Sequence, residues 1–259
     1  MTTAALPHRV TPARVLRSEW HKLWTLRSTW INLVATSLLT AAMGAGLGAA
    51  YDGTGEGGMD TVLFVLLGTQ FATVNLGVLG VLAASGEYST GQIRATMAAV
   101  PRRLPVLWSK AAVLAAVALP LTLATNLLTF PLAQSFLTGT DLSASLGDPG
   151  VLRALAGNAA GLTLLTVLAL GIGALTRSTP LSMGAYIGLL MILPEVLAML
   201  PYGVVDDAVR HFPGKALEAL TTAQPQPGTA SPGSALLALL LWTATTLLAA
   251  AWVLRRRDV

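Results

Sequence analysis

The chain contains no cysteine and few charged residues. Asp, Glu, Lys and Arg together make up 11% of its 259 residues, whereas soluble globular proteins carry about 25%. Without cysteine the chain forms neither a disulfide framework nor a thiolate metal site. Its three histidines are scattered and form no His-Glu-x-x-His pattern, so no metal is predicted. The shortage of charge indicates a membrane protein.

A nucleotide-binding loop is also missing. The phosphate-binding motif requires Gly-x-x-x-x-Gly-Lys followed by Ser or Thr. The Gly-Lys pair in "FPGKALE" is followed by Ala216, and Val209 stands where the first glycine would be. No Gly-x-Ser-x-Gly nucleophile turn occurs either. We therefore predict that the chain is not an enzyme and binds no cofactor, so that any energy from ATP must come from a partner chain.

Six long apolar runs dominate what is present. They cover residues 31–51, 61–84, 111–136, 154–175, 181–202 and 234–254. Runs of about 20 residues cross a hydrocarbon core as helices, and the continuous rather than alternating pattern excludes a barrel. We predict an all-α integral membrane protein with six transmembrane helices, called spans 1 to 6, within residues 31–254. A cytoplasmic N-terminal segment (1–30) precedes them and a basic cytoplasmic tail (255–259) follows.

The basic residues predict the orientation of these spans. Thirteen of the sixteen Lys and Arg fall in the N-terminal segment, the loops after spans 2 and 4, and the C-terminal tail. Lys and Arg accumulate in cytoplasmic loops of membrane proteins. Both termini and the loop after span 2 are therefore predicted to be cytoplasmic. The net charge of +4 would suggest a nucleic-acid partner in a soluble protein. Here the basic residues are distributed as membrane topology requires, so no nucleic-acid partner is predicted.

The loop between spans 2 and 3, "GEYSTGQIRATMAAVPRR", is polar although it lies between two strongly apolar runs. Gly91 is positioned to end span 2, and Pro101 ends whatever follows. Between them, Ile93, Met97 and Val100 recur at i, i+4 and i+7. Two helical turns are not stable alone in water. We predict a short helix that lies on lipid or on a partner protein.

The N-terminal segment predicts a longer amphipathic helix. Thr11 is a candidate N-cap with Pro12 at the first helical position. The predicted apolar stripe consists of Leu16, Trp20, Leu23, Trp24 and Trp30. Its basic flanks consist of Arg14, Arg17, Lys22 and Arg27. Tryptophans with basic flanks are typical of a helix in the membrane interface. The alternative is that the segment only anchors span 1.

Both features resemble ABC transporter permeases, particularly the short six-span exporters of actinobacteria. The resemblance rests on "RSEWHKLWTLRSTW" before span 1, "GEYSTGQIRATMAAVPRRLPVLWSK" after span 2 and "RHFPGKALEAL" before span 6. It covers nearly the whole chain. It implies a permease in the bacterial plasma membrane that pairs with a second permease copy and with a separate ABC-type ATPase.

The resemblance also implies two ATPase contacts. The first is a connecting helix that contains Glu19, Lys22 and Arg27. The second is a coupling loop, which includes the predicted short helix, with contact residues Glu87, Gly91, Ile93, Arg94, Met97, Pro101, Arg102 and Arg103. Gln92 departs from the threonine common in that family.

Polar residues inside the apolar runs are candidates for an intramembrane site, because they are costly in hydrocarbon. Glu195, Asn75 and Asn126 are the candidates. An ion-coupled secondary transporter that uses Glu195 is therefore an alternative function, and a non-transporting membrane scaffold is another. The asparagines are also the type of residue that hydrogen-bonds between transmembrane helices.

Overall fold

The structure, a computed structural model, describes residues 11–53, 59–89, 91–92, 104–224 and 226–256, and all regular structure within these residues is helical. Six helices are long and apolar enough to cross a membrane, as predicted. They are span 1 (Arg27–Ala50), span 2 (Thr61–Ser89), span 3 (Leu104–Leu137), span 4 (Val151–Thr176), span 5 (Thr179–Ala198) and span 6 (Pro232–Arg256). Three shorter helices are Pro12–Thr25, Gly203–Val209 and Pro213–Thr221.

Span 4 is the centre of the bundle. Within its most apolar window 78% of the residues are buried, against 22% in span 5 and 28% in span 1. Large leucines such as Leu155, Leu162 and Leu168 are fully buried there. Spans 2, 3 and 6 pack against it, so the other helices are arranged around this one.

Two spans contain irregular turns. Span 2 has a 3₁₀ segment at Leu66–Gly68, and span 5 has a π-helical segment at Gly188–Ile192. The π segment ends two residues before Pro194, which lacks an N–H and whose ring would clash with the carbonyl four residues earlier in a regular helix. A π-helical turn at this position accommodates the proline without ending the span.

Small residues allow close helix contacts within the chain. A Cβ added at Gly44 would lie 2.6 Å from Thr129 Cγ2 of span 3, and one at Gly48 would lie 2.9 Å from the Ala133 carbonyl oxygen. These faces of small residues therefore pack span 1 onto span 3, and the structure uses them for intrachain contacts.

The segment between spans 5 and 6 folds back into the bundle. It contains two helices, and Pro213 and Gly214 are the first two residues of the second. The second helix, Pro213–Thr221, is called the re-entrant helix because Ala216 and Leu220 are buried against spans 4 and 6. Gly157 of span 4 provides the space, since a Cβ there would lie 2.7 Å from the Leu220 carbonyl oxygen. The burial of this helix depends on a contact that is distant in sequence.

Apolar side chains also cover the outside of the bundle. Ile31, Leu38, Leu241, Leu248 and Met199 are each more than half exposed. A soluble protein rarely exposes so large an apolar surface. Such a surface fits a multi-pass membrane protein whose solvent is the hydrocarbon of the bilayer.

The N-terminal helix (Pro12–Thr25) begins at Pro12 as predicted, although the Thr11 side chain makes no capping hydrogen bond. Its buried face differs from the predicted stripe. Val15, Glu19 and Leu23 are buried, whereas Leu16 and Trp20 are exposed. The helix packs on span 3, and the position between the two buried apolar residues is a carboxylate, which a purely apolar pattern does not reveal.

The junction to span 1 also differs from prediction. Leu26 interrupts the helix, and span 1 starts at Arg27, four residues before the predicted boundary at 31. Aromatic rings bridge the break, since the Trp24 and Trp30 ring centroids are 4.9 Å apart and Trp30 Nε1 donates a 3.2 Å hydrogen bond to the Trp24 carbonyl oxygen. Of the predicted short helix after span 2, Ile93, Met97 and Val100 lie outside the described residues.

Candidate functional site

Three segments that are distant in sequence bring four charged side chains together at one end of the bundle. Glu19 and Lys22 come from the N-terminal helix, Glu87 from the last turn of span 2, and Lys110 from the second turn of span 3. This group is called the charge ring, and its side of the bundle the ring end. A charged residue at the end of an apolar helix reaches a neighbour across the bundle only if both helices end at the same level, as they do here.

The four side chains form a closed ring of ion pairs. Lys22 Nζ lies 2.7 Å from Glu19 Oε1 and 3.0 Å from Glu87 Oε1. Lys110 Nζ lies 2.8 Å from Glu19 Oε2 and 2.7 Å from Glu87 Oε1. Each lysine therefore bridges both carboxylates. The ring ties the N-terminal helix to the end of span 2 and to the start of span 3.

The ring is buried and its formal charge is zero. The side chains of Glu19, Glu87 and Lys110 are 5%, 8% and 11% exposed, and that of Lys22 is 31% exposed. Two ammonium groups and two carboxylates compensate one another, as buried charges require. Burial by itself lowers the pKa of Lys22, but the hydrogen bonds and charges of Glu19 and Glu87 outweigh it and raise that pKa above its usual value. Lys22 therefore stays an ammonium at neutral pH.

Neighbouring contacts reinforce the ring end. Ser85 and Thr179 hydroxyls are 2.8 Å apart, which joins span 2 to the start of span 5. Arg177 lies over the ring of Tyr88, with its Cζ 5.3 Å from the centroid. Gly91 follows span 2 with φ +72°, a left-handed conformation that favours glycine. The end of span 2 is thus held on several sides.

The structure brings together three of the predicted partner-contact residues but does not leave them all on the surface. Glu19 and Glu87 are buried in the ring, and their contact with a partner ATPase stays a prediction. Lys22 is partly exposed and Arg27 is exposed. The predicted contacts Ile93, Arg94, Met97, Pro101, Arg102 and Arg103 lie outside the described residues. Sequence reasoning assigns no role to Lys110, although a lone lysine at the start of an apolar run is a signal that could have found it.

A second group of charges lies at the opposite end, called the loop end. Lys215 Nζ of the re-entrant helix is 2.9 Å from Glu195 Oε1 of span 5 and 3.9 Å from Glu218 Oε2. The side chain of Glu195 is 62% exposed. The hydrogen bond to Glu195 raises the pKa of Lys215. The predicted intramembrane carboxylate is therefore part of an exposed ion pair beside a cavity of about 240 Å³.

The asparagines of the predicted polar site differ in their surroundings. Asn126 Nδ2 of span 3 donates 3.0 Å hydrogen bonds to Asn158 Oδ1 and to the Leu155 carbonyl oxygen, and Asn158 Nδ2 donates to Thr221 Oγ1 at 2.9 Å. These buried bonds join span 3, span 4 and the re-entrant helix. Asn75 is partly buried, and its Nδ2 has no hydrogen-bond partner within the part of the chain that the structure describes. Within the described residues, no hydrogen bond or ion pair joins Glu195, Asn75 and Asn126 to one another.

No protein-family model matches this chain, and no curated protein matches it.

Proposed function

We propose that the chain is the membrane-spanning permease subunit of an ABC exporter in a bacterial plasma membrane. In this proposal a separate ATPase subunit hydrolyses ATP, and a second permease copy completes the pathway. The observation that carries the proposal is the charge ring, because it joins the N-terminal helix to the two spans that flank the loop 90–103.

A permease driven by a separate ATPase needs a mechanical connection between its surface and its spans. The N-terminal helix presents exposed basic residues such as Arg14 and Arg17. Its opposite face holds Glu19, which is linked through both lysines to the end of span 2. A displacement of this helix would move the ends of spans 2 and 3 with it, because separating the ring would leave buried charges unpaired.

The ion-coupled alternative gains no support from the geometry. A proton-carrying carboxylate in a transporter is tuned by burial and by a water-filled pathway. Glu195 is mostly exposed and is paired with Lys215. A non-transporting scaffold would have no need to couple its N-terminal helix to two spans through a buried ring.

The first test is purification of the tagged chain from membranes of its native host, followed by assay of the purified material for ATP hydrolysis. We expect an ATPase with a phosphate-binding loop to accompany the chain in a defined stoichiometry. A preparation that contains the folded chain but no such ATPase would overturn the proposal.

The second test asks whether the ring couples the two subunits. In Lys22→Met, Lys110 still bridges Glu19 and Glu87, and the ammonium that is lost is the more exposed of the two, so we expect the variant to fold with a smaller loss of stability than Lys110→Met and to keep the rest of the ATPase contact. We expect the ATPase to be recovered as with the wild type, while the increase in its hydrolysis rate caused by the permease falls several-fold. Lys215→Met, the same substitution at the loop end, is the matched control and should leave that increase unchanged. If Lys22→Met and Lys215→Met show the same permease-dependent increase in the rate of ATP hydrolysis, a coupling role for the ring is excluded.

A further inference from the structure

The cavity of about 240 Å³ at the loop end lies between span 2, span 5 and the re-entrant helix. Its apolar walls include residues of both irregular turns, since Leu66 and Leu67 belong to the 3₁₀ segment and Leu190 and Met191 to the π segment. π-helical turns inside helices are frequent at functional sites. Leu67 and Met191 are 36% and 40% exposed, so the cavity opens at the side of the bundle. A ligand can therefore enter it from the bilayer.

The polar side of this cavity carries an uncompensated negative charge. Glu195, Lys215 and Glu218 line it. Lys215 Nζ lies 2.9 Å from Glu195 Oε1 but 3.9 Å from Glu218 Oε2, and the longer distance exceeds that of a hydrogen bond. One ammonium group therefore serves two carboxylates. The side chains of Glu195 and Glu218 are 62% and 46% exposed, so both are accessible to a ligand. The neighbouring Arg210 is paired with Asp207 at 3.1 Å.

This combination of walls and charge restricts the ligand. An anion would meet two carboxylates, and a hydrated metal ion would gain nothing from the leucine side chains. A neutral apolar molecule would leave the carboxylate of Glu218 uncompensated. An amphipathic ammonium compound suits both sides of the cavity. Its N–H groups can donate charge-assisted hydrogen bonds to Glu218 and to the amide oxygen of Gln70, which also lines the cavity. Its hydrocarbon part is removed from water by the leucines.

We infer that this cavity is a binding site for a compact amphipathic amine. The ammonium group lies beside Glu195 and Glu218, and the apolar body packs between Leu67 of span 2 and Leu190 of span 5. The volume limits the ligand to a small ring or a short chain and excludes a whole phospholipid. The inference concerns binding alone and does not depend on the proposed transport function.

The test is a ligand-detected NMR titration of the full-length chain in nanodiscs of phosphatidylcholine, a lipid without net charge. The probes are cyclohexylmethylamine, cyclohexylmethanol and cyclohexanecarboxylate, which share one ring and differ in charge, and empty nanodiscs correct for partitioning into lipid. We expect the amine to bind about tenfold more tightly than the alcohol, a ratio that corresponds to about 1.4 kcal/mol, and the carboxylate to bind most weakly. Equal affinities for amine and alcohol, or tighter binding of the carboxylate, would overturn the inference.

One variant tests the charge. Glu218→Gln removes the uncompensated carboxylate and keeps the pair between Lys215 and Glu195, so it should abolish the preference for the amine over the alcohol. The matched control is Asp207→Asn, which removes an exposed carboxylate at the same end that does not line the cavity. The control should keep the preference. A preference that survives Glu218→Gln, or that both variants abolish, would show that this carboxylate does not select the ligand.

Two further variants test the space, because Glu218 also lines an adjacent cavity of about 390 Å³. Leu67→Trp and Met191→Trp add bulk at residues that line the first cavity and not the second. We expect them to weaken amine binding about tenfold. Leu127→Trp in span 3 is the matched control, since Leu127 is also 36% exposed and lies outside both cavities. Thermal unfolding verifies which variants fold. Unchanged amine binding in the folded Leu67→Trp or Met191→Trp protein refutes the site.

Discussion

The two ends of the bundle are held by different forces. At the ring end, Glu19, Lys22, Glu87 and Lys110 form a closed and largely buried set of ion pairs. At the loop end, Lys215 and Glu195 form an exposed pair, and the segments are instead held by packing and backbone hydrogen bonds. Asp60 illustrates this, since its carboxylate accepts from the backbone N–H groups of Val62 and Leu63 on one oxygen and of Ala223 and Gln224 on the other.

This difference shows that the presence of an ion pair does not by itself indicate how much the pair contributes to the free energy of unfolding. A buried pair that loses one partner leaves a charge without compensation, which costs about 3–5 kcal/mol. The pair at the other end lies near the end of span 5, and an exposed ion pair contributes about 0–1 kcal/mol. Similar N–O distances at the two ends therefore predict very different consequences of mutation.

The largest effect is expected for Lys110→Met. The variant leaves Glu19 and Glu87 with only Lys22 between them, so we expect a loss of about 3–5 kcal/mol. The measurement is the thermal unfolding midpoint of the purified protein in detergent, with a decrease of roughly 10 °C. Addition of Glu19→Gln restores a neutral Lys22–Glu87 pair and should recover part of the loss. A double variant no more stable than Lys110→Met would argue against charge compensation as the cause.

An intermediate effect is expected for Gly157→Ala, which tests packing at the loop end. The new methyl group would lie 2.7 Å from the Leu220 carbonyl oxygen of the re-entrant helix. Overpacking costs about 1–3 kcal/mol, while the better helix propensity of alanine returns up to about 1 kcal/mol. We expect a net loss and faster proteolysis of the segment 203–231.

The control for this variant is Gly184→Ala in span 5, where a new Cβ has no atom within 4 Å. This substitution should leave stability unchanged or slightly increased. If both glycine variants behave alike, the re-entrant helix is not held by its close contact with span 4.

The smallest effect is expected for Lys215→Met, the same chemical change as Lys110→Met at the other end. The side chain of Lys215 is 39% exposed and that of Glu195 is 62% exposed. Removal of the pair should cost less than about 1 kcal/mol, which the unfolding midpoint in the same detergent measures. A loss equal to that of Lys110→Met would contradict the comparison between the two ends.

Much of the fold follows from local sequence patterns. The six apolar runs predict six spans because hydrocarbon admits only backbones that satisfy their own hydrogen bonds. Pro12 predicts the start of the N-terminal helix, and Gly91 the end of span 2, because both residues act on the backbone at their own position. The burial of the helix Pro213–Thr221 is not predictable in this way, because it depends on the space that Gly157 leaves in a distant span.

The candidate site, like the fold, is predicted by the sequence only in part. The resemblance to ABC transporter permeases singles out Glu19, Lys22 and Glu87, but as contacts with a partner. Only the tertiary structure turns Glu19 and Glu87 inward and adds Lys110, because four residues spread over 91 positions meet only when three helices end at one level. Sequence by itself therefore determines which segments are helical and apolar enough to span a membrane. Which charges compensate one another is decided by packing across the bundle.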